Sequence, residues 1–326
     1  MGGTYWVMPT ENNALRVGYG TYVYEYVPGW GKLPDGWEWN HAVGIGIDAL
    51  DRIFVYNRSA HPIIVLDTDG NVLDSWGAGQ FRSAHHLEVG PDGSLYTTDL
   101  GSHTVQKWTA EGELLMTLGT PGKPAEKMSG NPFNMPTDVS VATDGTLYIS
   151  DGYGNARIHH YTATGELIKS WGEPGDGPGQ FLIPHSLCLD KTGNVYVADR
   201  ENSRIQVFTA DGQFVREWKG VHRPDHIWQG PDGNMYVTEL GFQQGLNLES
   251  LGISLYPVHP SPHEVSHPSG VKILTPSGQW LGGWGMSTDT PGDIIAGHAM
   301  AMDSNGDLYV GETMDGARVQ KYARVG

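Results

Sequence analysis

The chain has 326 residues with 46 Gly, 20 Pro, 11 Trp and one Cys, and 37 acidic against 20 basic side chains give a formal net charge of −17. That field repels phosphate backbones and anionic lipid, which argues against a nucleic-acid or membrane role, and no stretch approaches the ~20 apolar residues of a membrane helix. Cys188 has no thiol partner, so intramolecular disulfides and zinc sites built from several thiolates are excluded.

The opening residues, MGGTYWVMPTENN, show neither a basic nor an apolar signal-peptide region, so a cytoplasmic protein is expected. Thr21–Gly31 (TYVYEYVPGWG) reads as a lone strand. A repeated unit then begins. It runs over His41–Gly77, His85–Gly119, Thr137–Gly172 and His185–Gly220, as in HSLCLDKTGNVYVADRENSRIQVFTADGQFVREWKG. A fifth unit starts at Asp225, is interrupted by an insertion at residues 241–270, and resumes as VKILTPSGQWLGGWG. A sixth starts at His298 and lacks its last strand.

Each unit reads as four short strands. An apolar first strand meets a DG or TG turn, where Gly accepts positive φ. An LYxxD-like second strand, an RIQVF-like third and an ExxxxWG-like fourth follow. Four strands every 40–50 residues is the sequence signature of a β-propeller blade. The expected architecture is therefore all-β: one domain over residues 1–326, a six-bladed propeller with the segment at 21–31 supplying the missing strand and closing the ring. The recurring Trp76, Trp171, Trp218 and Trp284 are expected between blades. Asp99, Asp151, Asp199, Glu239 and Glu312, which end the second strands, are expected to tie the following loop by side-chain hydrogen bonds to backbone.

In a propeller the residue opening each first strand faces the axis at one mouth. Around the ring that slot reads His41, His85, Thr137, His185, Asp225 and His298. Alternate blades are related by a pseudo-three-fold axis, so His85, His185 and His298 can converge on one point. Three neutral imidazoles with an open position are the ligand set of catalytic zinc or another first-row divalent ion. The competing reading is an axial cluster hydrogen-bonded to channel water. His41 is placed to join or orient a ligand.

The loops after the second strands hang over the same mouth and carry Arg58 (YNRSAHP), Tyr153 (SDGYGNAR) and Arg200 (ADRENSR). Arg forks a carboxylate, and a Tyr near a cation can take a proton. Pairing of the arginines with rim carboxylates, and packing of Tyr153 across its turn, are the plainer alternatives. The insertion at 241–270 leaves from this mouth too, which makes it a candidate lid. Its His259, His263 and His267 have helical spacing, but Pro260, Pro262 and Pro268 oppose a helix.

The units resemble NHL repeats, as in NVYVADRENSRIQVF. The stretch from PTDVSVATDGTLYISDGYGNARI through GPGQFLIPHSLCLD to VYVADRENSRIQVF resembles the catalytic core of the peptidyl-α-hydroxyglycine α-amidating lyases. That resemblance implies a zinc-dependent carbon–nitrogen lyase that cleaves the N–Cα bond of a peptidyl-hydroxyglycine to a peptide amide and glyoxylate. It implies zinc on His85, His185 and His298, Tyr153 as catalytic tyrosine, and Arg58 and Arg200 as substrate-contacting arginines. The family's Met-Pro-His-Asp at the third ligand is replaced by Ala296-Gly297-His298-Ala299. The Asp that helps bind a structural calcium there is missing, which counts against calcium, and a Met near the substrate is lost, which implies a pocket of different shape. The absence of the secreted enzymes' paired cysteines suits an intracellular protein.

The leading expectation is thus a metal-dependent lyase acting on a small-molecule or peptidyl substrate that bears a carboxylate, a hydroxyglycine-type carbinolamide or a related α-hydroxy carboxylate. A metal-dependent propeller hydrolase or lactonase, and a non-catalytic NHL binding scaffold, are the alternatives. The oligomeric state is not legible in the sequence.

Overall fold

The computed structural model describes residues 8–9, 14–241, 267–288 and 290–325. Its strands form six antiparallel sheets arranged as the blades of a propeller. Blade two is representative, with strands Ala84–Val89, Leu95–Asp99, Thr104–Trp108 and Leu114–Leu118 from the inside outward. Alternating apolar positions and tight turns account for this order, because a two-residue period buries one face of each strand. The only helical turn among the described residues is Arg200–Asn202, and no helix there is long and apolar enough to cross a membrane.

The innermost strands of successive blades pack against one another around the ring, including that of blade six, Gly297–Met302, on that of blade one, Ala42–Ile47. Closure is completed as the sequence implied. Tyr22–Val27 is the fourth strand of blade six and pairs with Val319–Arg324, Tyr322 opposite Tyr26. The N-terminal segment goes further than expected: Leu15–Tyr19 adds a hairpin partner outside it.

Six hydrophobic clusters form the core, each shared by two neighbouring blades. The tryptophans ending fourth strands sit at these seams. Trp171 covers Gly212 in the next blade's outer hairpin, where a Cβ would lie 2.5 Å from the indole. Gly212 also has φ +73, so both the space and the backbone require glycine there.

The carboxylates ending second strands grip the chain entering their own blade. Asp99 accepts from the amides of Arg82 and Ser83 as well as Gly101 and Ser102. Asp151 holds Asn134 N, Asp199 holds Leu182 N, Glu239 holds His222 N and Glu312 holds Ile295 N. The loop they tie is thus chiefly the one before the first strand, which aims the slot residue. Residues 242–266 of the insertion, with His259 and His263 and with them the expected lid, lie outside the described residues.

Candidate functional site

The register of five blades slips by one residue at the start of the first strand, leaving one extra residue opposite the second strand. The bulged residues are Val43, His85, His185, Asp225 and His298, with Thr137 at the matching position of blade three. A bulge re-aims a side chain at a strand end, and here it turns the slot residues toward the axis. Blade one's slot is therefore Val43. His41, expected there, lies two residues earlier and shares its left-handed backbone (φ 51) with Met135, Ile183 and Arg223, each two residues before a slot. The ring of His41 accepts from Met314 N and contacts Thr313 Oγ1, both at 2.8 Å. Burial and neighbouring Arg58 lower its pKa. It stands at the rim beside Arg58 and outside the axial group.

The three expected histidines do meet. Ring centroids of His85, His185 and His298 are 4.7, 4.9 and 5.2 Å apart, and one ring nitrogen from each lies within 4.8 Å of the others. Each Nδ1 contacts a backbone carbonyl of the next blade: His85 that of Thr137 at 2.6 Å, His185 that of Asp225 at 2.7 Å, His298 that of Val43 at 2.9 Å. A carbonyl only accepts, so each Nδ1 carries the proton and each Nε2 keeps its lone pair. Blades two, four and six supply the rings, and the slot residues of blades three, five and one orient them. Burial holds all three well below their ordinary pKa, reinforced chiefly by Arg58 at His85, by Arg200 at His185 and by His85 at His298. His85 Nε2 is buried with no hydrogen-bond partner, a costly state for a polar atom. Neutral imidazoles with carbonyl-anchored Nδ1–H groups are what a divalent ion requires of histidine ligands.

Tyr153 stands beside the triad. Its hydroxyl is 3.2 Å from His185 Nε2, to which it donates, and accepts from Arg200 Nη1 at 3.0 Å. Arg200 is almost wholly buried in the short turn after its strand. Its Nη1 also reaches Asp225 Oδ1 at 3.2 Å, and its Nε donates to Glu201 at 2.8 Å. Arg58 differs. Its Nε is fixed on the carbonyl of Ala84 at 2.9 Å, and no carboxylate among the described residues pairs with it.

Three residues of this environment carried no role in the sequence reading. Glu201 bridges Arg200 and Arg223 and is buried. Asp225 occupies slot five, which was visible in the repeat, but an acid among histidines gave no hint of its two bonds. Its Oδ2 is buried without a partner, 3.9 Å from His298 Nε2, and burial pushes its pKa up to about 6 against the pull of Arg200 and Arg223.

The NHL repeat model matches residues 133–161 and 181–208. NHL repeat-containing protein 3 from Homo sapiens is 32% identical over 254 residues, which cover 72% of this chain and 70% of that protein. A probable peptidyl-α-hydroxyglycine α-amidating lyase from Caenorhabditis elegans is 38% identical over 152 residues, covering 45% of this chain and 43% of the nematode protein. The chain thus spans less than half of that lyase. Among solved structures, a gluconolactonase from Xanthomonas campestris superposes with a TM-score of 0.61 at 16% identity, over 99% of this chain and 95% of that one, which is a likeness of fold. With the repeat, the propeller and these similarities together, the chain belongs to the NHL-repeat propeller family that includes NHL repeat-containing protein 3 and has amidating lyases among its relatives.

Proposed function

We propose that this protein is a zinc-dependent lyase for carbinolamides of the peptidyl-α-hydroxyglycine class, or closely related α-hydroxy carboxylates. One observation carries the reading: three neutral histidines, each locked by its Nδ1–H on a neighbouring blade, present Nε2 atoms to a common point with Tyr153 alongside. Similarity to the nematode lyase supports the substrate class.

His85, His185 and His298 would hold the ion, which when bound polarises a substrate hydroxyl and eases loss of its proton. The chain's own groups account for the rest. Arg58, with no carboxylate partner among the described residues, receives the substrate carboxylate in a two-pronged contact. Tyr153, once its own proton has passed to solvent, sits where its oxygen, which accepts from Arg200 Nη1, can take the hydroxyl proton. Loss of the proton lets the carbinol carbon–oxygen bond become a carbonyl while the carbon–nitrogen bond breaks. The departing nitrogen takes a proton back from Tyr153, giving an amide and glyoxylate. Arg200, tied to Glu201 and Asp225, positions Tyr153 and leaves Nη2 for the substrate. His41, beside Arg58, borders the carboxylate end.

The test is glyoxylate release from benzoyl-α-hydroxyglycine by zinc-loaded and chelator-treated protein, with a sugar lactone as the rival substrate. Zinc-dependent glyoxylate release supports the lyase. Zinc-dependent lactone opening without glyoxylate moves the assignment to a hydrolase. Indifference to metal with both substrates leaves a binding scaffold.

A further inference from the structure

One residue beyond the slot, the innermost strands carry Gly44, His86, Asp138, Ser186, His226 and Ala299 at matching register positions. Blades one, four and six contribute small side chains at this level. Blades two, three and five contribute two imidazoles and a carboxylate, all buried. We propose that His86, Asp138 and His226 form a second divalent-metal site, one layer beneath the histidine triad, for an ion that prefers nitrogen donors such as Zn²⁺, Co²⁺ or Ni²⁺.

The geometry is that of a ligand set. One donor atom from each residue lies within 4.8 Å of the others, and the two imidazole centroids are 5.1 Å apart. His86 Nε2 is already 2.8 Å from Asp138 Oδ1. The carboxylate is held from behind by the amides of Val139 at 2.6 Å and Leu187 at 3.0 Å, as outer partners orient a metal-ligating carboxylate. A bare His86–Asp138 ion pair would account for two of the three residues. It would not account for His226, whose Nδ1 is buried with no partner and which faces another imidazole across the channel. A cavity of about 110 Å³ lined by His86, Glu88, His226 and Trp228 adjoins the group, enough to complete a coordination sphere with water. Two nitrogen donors and one oxygen select first-row transition ions over Ca²⁺ and Mg²⁺.

This site stands independently of the catalytic reading, and the experiment separates the two. The full-length protein is stripped with dipicolinate and titrated with Zn²⁺, and crystals of the wild type are soaked in Zn²⁺ for anomalous scattering at the zinc edge. Two equivalents are expected, falling to one in His226→Gln and in Asp138→Asn, and to one of the other kind in His185→Ala. Two anomalous peaks are expected, one within the triad and one between His86 and His226. The wild-type crystals keep the test sound even if a variant does not fold. No lower peak at saturating Zn²⁺, or a single equivalent unaffected by His226→Gln, overturns the proposal, as does Ca²⁺ uptake at this level in preference to Zn²⁺. A lower peak without an upper one upholds this site and sinks the function proposed above.

Discussion

His185 and Asp225 are joined twice across one blade seam. The imidazole Nδ1 lies 2.7 Å from the backbone carbonyl of Asp225 and 3.2 Å from its carboxylate Oδ1. The carbonyl fixes the tautomer. The carboxylate also takes Arg200 Nη1 and leaves Oδ2 near His298, so it brings negative charge to the place where a cation would sit.

Asp225→Asn keeps the carbonyl and removes that charge. The expected result is unchanged zinc stoichiometry at saturation, with affinity weakened about tenfold, or ~1.4 kcal/mol. Competition with a chromophoric chelator reads it. Equal affinity in both proteins would show that the carboxylate serves only to hold Arg200.

Tyr153→Phe deletes the hydroxyl that contacts both His185 and Arg200. If Tyr153 moves the proton, kcat falls roughly 10²- to 10⁴-fold while metal content stays that of the wild type. Retained turnover removes Tyr153 from the chemistry.

Arg58 is set by its Nε on Ala84. Arg58→Lys keeps a positive charge but loses the planar fork, so kcat/KM for the carboxylate substrate should fall by about 10- to 100-fold, carried mainly by KM. A carboxamide analogue, lacking the group Arg58 holds, should show little difference between the two proteins. An equal loss with both substrates would mean that Arg58 does not bind the carboxylate.

Glu88 gives a pH dependence. It lines the lower channel, where burial first, and Asp138 second, push its pKa up to about 8 from 4.5, against the amide of Val141, the hydroxyl of Ser140 and the neighbouring His86. The folded state therefore binds the Glu88 proton more tightly than the unfolded chain does. The stability this contributes is complete below about pH 4.5 and is lost as pH rises toward 8. Glu88→Gln removes the titration. In metal-free protein the variant's Tm should gain on the wild type between pH 5 and 8, by an amount on the order of a few kcal/mol in stability. Parallel Tm profiles across that window would show that Glu88 does not titrate there.

The repeat was legible in the chain because it is written in local terms. Alternating apolar residues, glycines at turns and a tryptophan at the outer edge of four of the six blades specify four strands and a seam wherever they occur. Histidines opening units two, four and six could be placed on one axis by symmetry, since closing a ring of similar units leaves no other arrangement for equivalent residues. The NHL and amidating-lyase likeness was carried by contiguous motifs and needed no coordinates.

The rest depended on ring closure. A one-residue bulge leaves no clear mark in an alternating pattern, so counting from His41 misplaced blade one's slot, which belongs to Val43. The proton positions on His85, His185 and His298 are set by carbonyls 52, 40 and 255 residues away, contacts made only when neighbouring blades pack. Arg200 read either as a fork for a substrate carboxylate or as the partner of a rim carboxylate, and only the fold shows it buried against Glu201, Asp225 and Tyr153. His86, Asp138 and His226 drew no reading from the sequence, because nothing local says that three different blades will bring them to one level of the channel. Sequence determines what each unit can form; only the closed ring decides which side chains share a low-dielectric interior, and there geometry and desolvation govern charge, tautomer and ligand choice.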